Sequence, residues 1–109
     1  MSLEENKAII RRYYEAANKH NVDLAAVLVA PDFVDYTNKI EGLESLKQFG
    51  SMFIKGFPDL HWTIEDIVAE KDKVWVRTTI TGTHKGEYRG VPPTGKKITI
   101  RAVDIWRIV

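Results

Sequence analysis

The sequence predicts an α+β domain in which helices pack on one face of an antiparallel sheet. In the first half of the chain, apolar residues recur at intervals of three and four, which is typical of amphipathic helices. The second half contains three runs rich in β-branched and aromatic residues, joined by more polar segments. Because the chain has only 109 residues and no linker-like segment, we expect a single domain over residues 1–109.

Three helices are predicted in the first half. Ser2 and Glu5 have the spacing of a capping box, which marks the start of the first helix. Pro31 follows the second helix and ends it, because proline cannot continue a helix. The helices are predicted over residues 3–19, between Asn21 and Pro31, and over residues 42–55, with a brief strand at residues 32–37.

The second half is predicted to form a meander of three antiparallel strands. They are LHWTIEDIVAE at residues 60–70, KVWVRTTITGTH at 73–84 and KKITIRAVDIWRIV at 96–109. Residues 98–108 would extend about 36 Å if straight, whereas a compact chain of this size is only about 34 Å across. The sheet is therefore expected to curl around the helices and to leave a hollow for a ligand.

Composition excludes several classes of function. The 16 basic and 15 acidic residues give a net charge of +1, and the basic residues are scattered, which argues against a nucleic-acid partner. The sequence has no cysteine, so disulfides and thiolate chemistry are excluded. The N-terminus carries acidic residues where a signal peptide needs basic ones, and no apolar run is long enough to span a membrane. We expect a soluble, cytoplasmic protein without a membrane partner.

Asp104 lies in an otherwise apolar row of the last predicted strand. With the two-residue period of a strand, it points the same way as Ile100 and Trp106. Burial in such a row removes hydration, which raises the pKa of a carboxyl group. A group of that kind suits a general base, or an acid that donates a hydrogen bond to an oxyanion. The alternatives are a bond to Arg77, Arg101 or a backbone amide, or a bulge that turns the side chain outward.

Two further groups are candidates for the same hollow. Either Tyr13 or Tyr14 must face the sheet, and we take Tyr14 as the candidate donor to a carbonyl oxygen. A core tyrosine without a catalytic role is the alternative. Asp35 is in phase with Phe33 and can place a second acid in the hollow, so that two acids divide the acid and base roles. A capping or edge role is the alternative for Asp35.

Histidines and aromatic residues complete the set of candidates. His84 ends the second long strand, at the rim of the hollow or in a turn, and is a candidate for proton transfer. His61 precedes Trp62 at the start of the first long strand. Each histidine has a structural or surface role as its alternative. The candidate substrate-binding residues are Phe53, Phe57, His61, Trp62 and Trp106.

Two other chemistries are not favoured by the motifs. Three histidines at positions 20, 61 and 84, without HxH or HxxxH spacing, are a weak pattern for a metal site. The segment VPPTGK is not a phosphate-binding loop, because Lys97 follows it where such a loop has Ser or Thr, and a strand follows rather than a helix.

Several segments together resemble the SnoaL-like polyketide cyclases, also called ester cyclases. They are NKAIIRRYYEAANKHN, APDFVDY, the run from FPDLHW to GKKITI, and VDIWRI, and the most specific part is GTHKGEY followed by GVPPTGK. The resemblance covers nearly the whole chain. It implies the cone-shaped fold of the nuclear transport factor and ketosteroid isomerase superfamily, with a curved antiparallel sheet around three helices, a deep apolar pocket and a homodimer.

The resemblance also implies a reaction. Characterised cyclases of this family close a polyketide ring by intramolecular aldol condensation, with an aspartate as acid and base and no cofactor, and that aspartate matches Asp104. In the related steroid isomerases, a tyrosine of the first helix and an aspartate of a late strand form an oxyanion hole, and these match Tyr14 and Asp104. The separate base of the isomerases matches a position nearer Thr37 than Asp35.

Three interpretations remain open at this point. The first is a cofactor-independent enzyme that acts on a small hydrophobic carbonyl compound. The second is a non-catalytic module of the same fold that binds a small ligand or forms a dimer. The third is an epoxide hydrolase with an Asp, Arg, Asp relay. This interpretation is weaker, because Arg101 is out of phase with Asp104 on the last strand. Relatives also continue through one further strand that this sequence lacks, so the last strand is expected to be a sheet edge.

Overall fold

The computed structural model describes residues 2–36 and 38–108. Thr37 and Val109, which the sequence analysis placed in the opening and final strands, lie outside these ranges. The elements follow the chain as α1 (Leu3–Asn18), α2 (Val22–Val27), β1 (Val34–Asp35), β2 (Ile40–Glu41), α3 (Gly42–Gly56), β3 (His61–Glu70), β4 (Lys73–Thr83) and β5 (Lys97–Arg107). The predicted order of helices followed by an antiparallel meander is confirmed.

The helix ends follow from local side chains. In α1 the capping box forms, since Ser2 Oγ accepts from Glu5 N at 3.1 Å and Glu5 Oε1 accepts from Ser2 N at 3.2 Å. In α2, Asn21 Oδ1 accepts from Leu24 N at 3.0 Å. α3 starts at Gly42, whose φ of +80° favours glycine.

The strands form two sheets among the described residues. The larger one has the order β3-β4-β5 and is antiparallel throughout, and it does not close. The smaller one is the hairpin β1-β2, in which the predicted opening strand is reduced to two residues and pairs with a strand at Ile40–Glu41 that the sequence analysis missed. Two-residue strands carry too little periodic pattern to be recognised in a sequence.

Helix α1 packs on the inner face of the larger sheet. The part of the core between them consists of Ile10 and Tyr14 from α1 with Val74 and Val76 from β4. Near the start of α1, Asn6 Nδ2 donates to Lys71 O at 3.2 Å, and near its end Asn18 makes hydrogen bonds to the backbone N and O of Trp62 at 2.7 and 2.9 Å. These bonds at both ends hold the helix along β3.

The dimensions of the molecule change one argument made from the sequence. Its extents are 45 × 27 × 23 Å, so a straight strand of about 36 Å fits along the long axis. The length of the last strand therefore does not by itself require the sheet to curl. None of the described helices is both long and apolar enough to cross a membrane.

Candidate active site

Asp104 lies on the inner face of the sheet, as predicted. Its register partner on β4 is Val76, which is completely buried, and its own side chain is half-buried. Strand pairing thus sets the carboxylate beside the core under α1. Among residues 2–36 and 38–108, neither a bulge at Asp104 nor an arginine partner for it is found. The register shift in the larger sheet lies between Ile64 and Asp66 on β3, and the ion pairs of the described residues do not include Asp104.

Tyr14 is the partner of Asp104. The Tyr14 hydroxyl donates to Asp104 Oδ2 at 2.5 Å, and Trp106 Nε1 donates to the Tyr14 oxygen at 3.3 Å. Burial, followed by the charge of Asp104, raises the pKa of Tyr14 well above its ordinary value. Tyr14 therefore keeps its proton and holds the carboxylate by a charge-assisted hydrogen bond.

An aromatic wall surrounds this pair. Trp106 packs against Tyr13 at a centroid distance of 4.8 Å and stacks on Phe33 at 6.0 Å, while Tyr13 meets Tyr14 edge to face at 5.3 Å. Burial raises the pKa of Tyr13 to about 12, with smaller contributions from the charges of Asp104 and Asp35. Both tyrosines of α1 thus belong to the site, where the sequence analysis required only one.

Asp35 lies at the edge of this region rather than beside Asp104. Its carboxylate accepts from Asn38 N at 3.1 Å and from Asn38 Nδ2 at 2.9 Å, which closes the turn between β1 and β2. Its charge nevertheless affects Tyr13. The structure therefore gives Asp35 the capping role that was its alternative, within electrostatic range of the aromatic wall.

His84 is not close to Asp104. It lies eight residues beyond Val76 along β4, or about 26 Å at about 3.3 Å per residue. Its ring stacks on Phe57 at 5.2 Å, and its Nδ1 lies 3.0 Å from Thr94 Oγ1. It is buried inside the fold and not at a rim. These contacts give His84 a structural role at the end of the sheet that is far from Asp104.

The predicted substrate-binding residues lie at two ends of the sheet, with Trp62 between them. Only Trp106 is beside Asp104. Phe53 lies within 5.6 Å of Phe57 and 6.3 Å of Trp62, in a second aromatic cluster with Tyr88 near His84. Phe57 and Tyr88 therefore lie at the end of the sheet that is far from the carboxylate, whereas Trp62 also packs against the core that contains Tyr14.

His61 and the surface depressions lie outside the aromatic wall. An open depression of about 300 Å³ between α1 and β3 is lined by His61, Tyr14 and neighbouring residues. Another, of about 430 Å³, lies against the β1-β2 hairpin and includes Asp35. Asp104 lines neither of them, so the deep apolar pocket implied by the resemblance stays a prediction.

Arg77 and Arg101, the two arginines considered as partners of Asp104, lie on the opposite face of the sheet. Arg77 binds Asp66 through Nε at 2.8 Å and Nη2 at 2.7 Å, and both side chains are exposed. Arg101 has Thr79 as its register partner, out of phase with Asp104. A relay of two carboxylates and an arginine around Asp104 is therefore not formed by these residues. Within the described ranges, no group of three or more His, Cys, Asp or Glu side chains is arranged to hold a metal.

Tyr13 and Phe33 are the site residues that the sequence analysis did not select. Tyr13 is adjacent to Tyr14, and adjacent residues of a helix point about 100° apart, so one was expected to leave the core. The wide indole of Trp106 reaches both rings. Phe33 precedes β1, and its stacking on Trp106 depends on where the hairpin lies in space.

Comparisons with known proteins agree with this fold. The profile of the SnoaL-like polyketide cyclase family matches residues 7–109. No curated protein matches the sequence significantly.

Solved structures are similar over nearly the whole chain. AclR from Streptomyces galilaeus, a candidate hydroxylase, is 33% identical with a TM-score of 0.88, covering 99% of this chain and 69% of that one. IdmH from Streptomyces antibioticus, a candidate polyketide cyclase, is 29% identical with a TM-score of 0.77, covering 95% of this chain and 83% of that one.

A third structure agrees in fold alone. It is a protein with a ketosteroid isomerase-like fold from Catenulispora acidiphila, 18% identical with a TM-score of 0.75, covering 93% of this chain and 75% of that one. Because the family profile spans almost all of the sequence, the chain belongs to the SnoaL-like polyketide cyclase family.

Proposed function

We propose that this protein is a cofactor-independent acid/base enzyme that acts on a small hydrophobic carbonyl compound, by cyclase-like aldol chemistry or a related isomerisation. The observation that carries the proposal is the Tyr14–Asp104 hydrogen bond inside an aromatic wall. Tyr14 uses only Oδ2 of the carboxylate, and Oδ1 makes no hydrogen bond to the described residues. One oxygen is thus held while the other is available for proton transfer.

The chemistry follows from these positions. Asp104 Oδ1 accepts a proton from the carbon next to a carbonyl group, and the electrons of that C–H bond move into the enolate. The enolate carbon then attacks a second carbonyl of the same molecule, whose oxygen takes the proton back from Asp104 as the C=O π bond opens. In the isomerisation, Asp104 instead returns the proton to another carbon of the enolate system. Trp106, Tyr13 and Phe33 provide flat apolar surface for an aromatic or polyene substrate.

The first prediction concerns Asp104→Asn. The amide still accepts from Tyr14 but cannot accept the substrate proton, so turnover should fall at least 10²-fold. The measurement is exchange of α-protons for deuterium, followed by NMR at pH 6, on a panel of aromatic β-keto esters with one to three rings. Circular dichroism and thermal unfolding check that the fold is kept.

Asp66→Asn is the matched control, because Asp66 is an exposed carboxylate on the outer face of the same sheet. Its loss should leave exchange unchanged. The proposal is wrong if the wild-type protein exchanges no member of the panel faster than buffer does, or if Asp104→Asn retains the wild-type rate.

A second candidate function is a non-catalytic module that binds a small ligand. It is favoured by the absence of Asp104 from the lining of both depressions. An arginine partner for Asp104, which this candidate also predicts, is not observed, since Arg77 binds Asp66. Ligand binding that survives Asp104→Asn, without any proton exchange in the wild type, would favour this candidate.

We also propose that the protein forms a homodimer through the outer face of its sheet. Val68, Trp75 and Ile105 are register partners across the three strands, and Val103 lies on the same face. Val68, Val103 and Ile105 are 58%, 63% and 62% exposed. A contiguous apolar patch of this kind is typical of an interface.

A further inference from the structure

The geometry points to Tyr13, rather than Tyr14, as the catalytic hydrogen-bond donor to the carbonyl oxygen of the substrate. This inference rests on the proposed function and assigns a role within the same site. Tyr14 becomes a positioning residue, which acts on the substrate only through Asp104.

Tyr14 has a single proton to donate, and Asp104 already receives it. A phenol has one O–H, and that of Tyr14 is directed to Asp104 Oδ2 at 2.5 Å. The Tyr14 oxygen also accepts from Trp106 Nε1 at 3.3 Å. If Tyr14 turned to a substrate oxygen, Asp104 would lose the hydrogen bond that holds it in place.

Tyr13 lies in the same aromatic wall as Trp106. Its ring lies against Trp106 at 4.8 Å and against Tyr14 at 5.3 Å, so it borders the same group of side chains. Within residues 2–36 and 38–108 its hydroxyl makes no hydrogen bond, and it is not among the polar atoms closed off from solvent. Tyr13 therefore has a donor that is both uncommitted and reachable.

The electrostatics of the site also favour Tyr13 as the donor. Burial raises the pKa of Tyr13 to about 12, and the charges of Asp104 and Asp35 add to this effect, so Tyr13 stays protonated at neutral pH. When Asp104 takes the substrate proton, its negative charge is transferred to the enolate oxygen. The Tyr13 O–H then donates to the negatively charged enolate oxygen. A donor that meets the charge where it develops stabilises the transition state more than the substrate.

The test uses 2-acetylnaphthalene as a probe, because its rings match the aromatic wall and its carbonyl is an acceptor. Affinity is measured by calorimetry, and the carbonyl stretching frequency of the bound probe by infrared difference spectroscopy. In the wild type we expect a frequency lowered relative to the probe in an apolar solvent. Tyr13→Phe should return it to the apolar value and weaken binding about tenfold.

Tyr14→Phe and Tyr36→Phe are the comparison variants. Tyr14→Phe should keep the lowered frequency, and so should Tyr36→Phe, since Tyr36 is 88% exposed. The inference is overturned if Tyr14→Phe removes the shift while Tyr13→Phe keeps it, if neither changes it, or if the wild-type protein does not bind the probe.

A second substitution keeps the test valid should Tyr13→Phe misfold. Site-specific 3-fluorotyrosine has a more acidic phenol and donates more strongly, so at position 13 it should lower the carbonyl frequency further. The same residue at position 14 should leave the frequency unchanged. A shift from position 14 alone would contradict the assignment.

Activity distinguishes this inference from the proposed function. Tyr13→Phe should lower kcat for α-proton exchange about 10²-fold and change KM much less, as expected for loss of one oxyanion donor. If Asp104→Asn abolishes exchange but Tyr13→Phe does not slow it, the function stands and the inference fails. If nothing is exchanged while the infrared shift depends on Tyr13, the donor is real and the proposed reaction is wrong.

Discussion

The Tyr14–Asp104 hydrogen bond joins residues 90 positions apart in the chain. It exists because α1 is fixed by Asn6, which bonds to Lys71 just after β3, and by Asn18, which bonds to Trp62 near the start of β3. These polar bonds have little freedom of register, so the phenol reaches the carboxylate on β5. The candidate site therefore depends on Asn6 and Asn18, which lie away from the Tyr14–Asp104 pair and do not take part in the proposed reaction.

The raised tyrosine pKa values predict a loss of stability in alkali. Because the folded protein holds the pKa of Tyr13 near 12, compared with 10.0 as its ordinary value, the unfolded chain releases this proton first as pH rises. The stabilisation of the fold that is linked to this pKa shift is fully present below about pH 10 and is lost as the pH rises towards about 12. Each such tyrosine contributes a slope of about 1.4 kcal/mol per pH unit in this range.

This slope is measured by urea unfolding at a series of pH values from 8 to 12. In Tyr13→Phe, the free energy of unfolding should fall less steeply above pH 10. The difference in slope from the wild type should be that of one tyrosine, about 1.4 kcal/mol per pH unit. Tyr36→Phe, at an exposed position, is the control and should leave the slope unchanged. Equal slopes in the wild type and Tyr13→Phe would contradict the assignment of a buried, protonated Tyr13.

At the element scale, the loop between β4 and β5 is held by close backbone packing. Lys85 N and Gly86 N both donate to Gly56 O at the end of α3, at 3.1 and 3.0 Å. Tyr88 then packs against Gly56 and joins the aromatic cluster of Phe53 and Phe57. Gly86, His84 and Tyr88 of the GTHKGEY motif therefore form the end of the fold that is far from Asp104.

Gly86→Ala tests this packing. A Cβ at Gly86 would lie 2.1 Å from the backbone oxygen of Lys55, which cannot move without displacing α3. We expect a loss of about 3 kcal/mol or more in the free energy of unfolding, measured by urea denaturation. Gly90→Ala is the control: its φ is +82° but nothing lies near its Cβ, so the loss should be about 1 to 2 kcal/mol. Equal losses would show that close packing at Gly86 is unimportant.

At the scale of the whole molecule, the two faces of the sheet differ in their partners. The inner face is covered by α1, while the outer face exposes the row of Val68, Trp75 and Ile105 beside the Arg77–Asp66 ion pair. An exposed ion pair contributes little stability by itself. In a dimer interface, the Arg77–Asp66 pair would instead contribute to the specificity of association and to the orientation of the two subunits.

Ile105→Lys tests the proposed homodimer. A lysine in the middle of the apolar row should bury a charge in the interface and convert a dimer to a monomer, as measured by sedimentation equilibrium. Val27→Lys is the control, because Val27 is an apolar residue on α2 that is 72% exposed. A wild-type protein that is monomeric at micromolar concentration would contradict the proposal, as would dissociation caused equally by both variants.

Periodicity in the sequence was sufficient to assign the side of each long strand that faces the core. The two-residue period placed Asp104 in the same row as Trp106, and the helical period marked α1 and α3 within a residue or two of their observed ends. Such patterns are local, because they depend on geometry that repeats within one element. The same patterns missed β2, whose pairing depends on a neighbour that is equally short.

Which of these side chains contact each other depends on how the elements pack in three dimensions. Register between strands and the position of α1 on the sheet bring Tyr14 to Asp104, leave Tyr13 free beside Trp106, and separate His84 by most of the length of β4. Periodicity assigns a residue to a face but not to a place along that face. That place depends on contacts between residues far apart in the chain, which no local pattern contains.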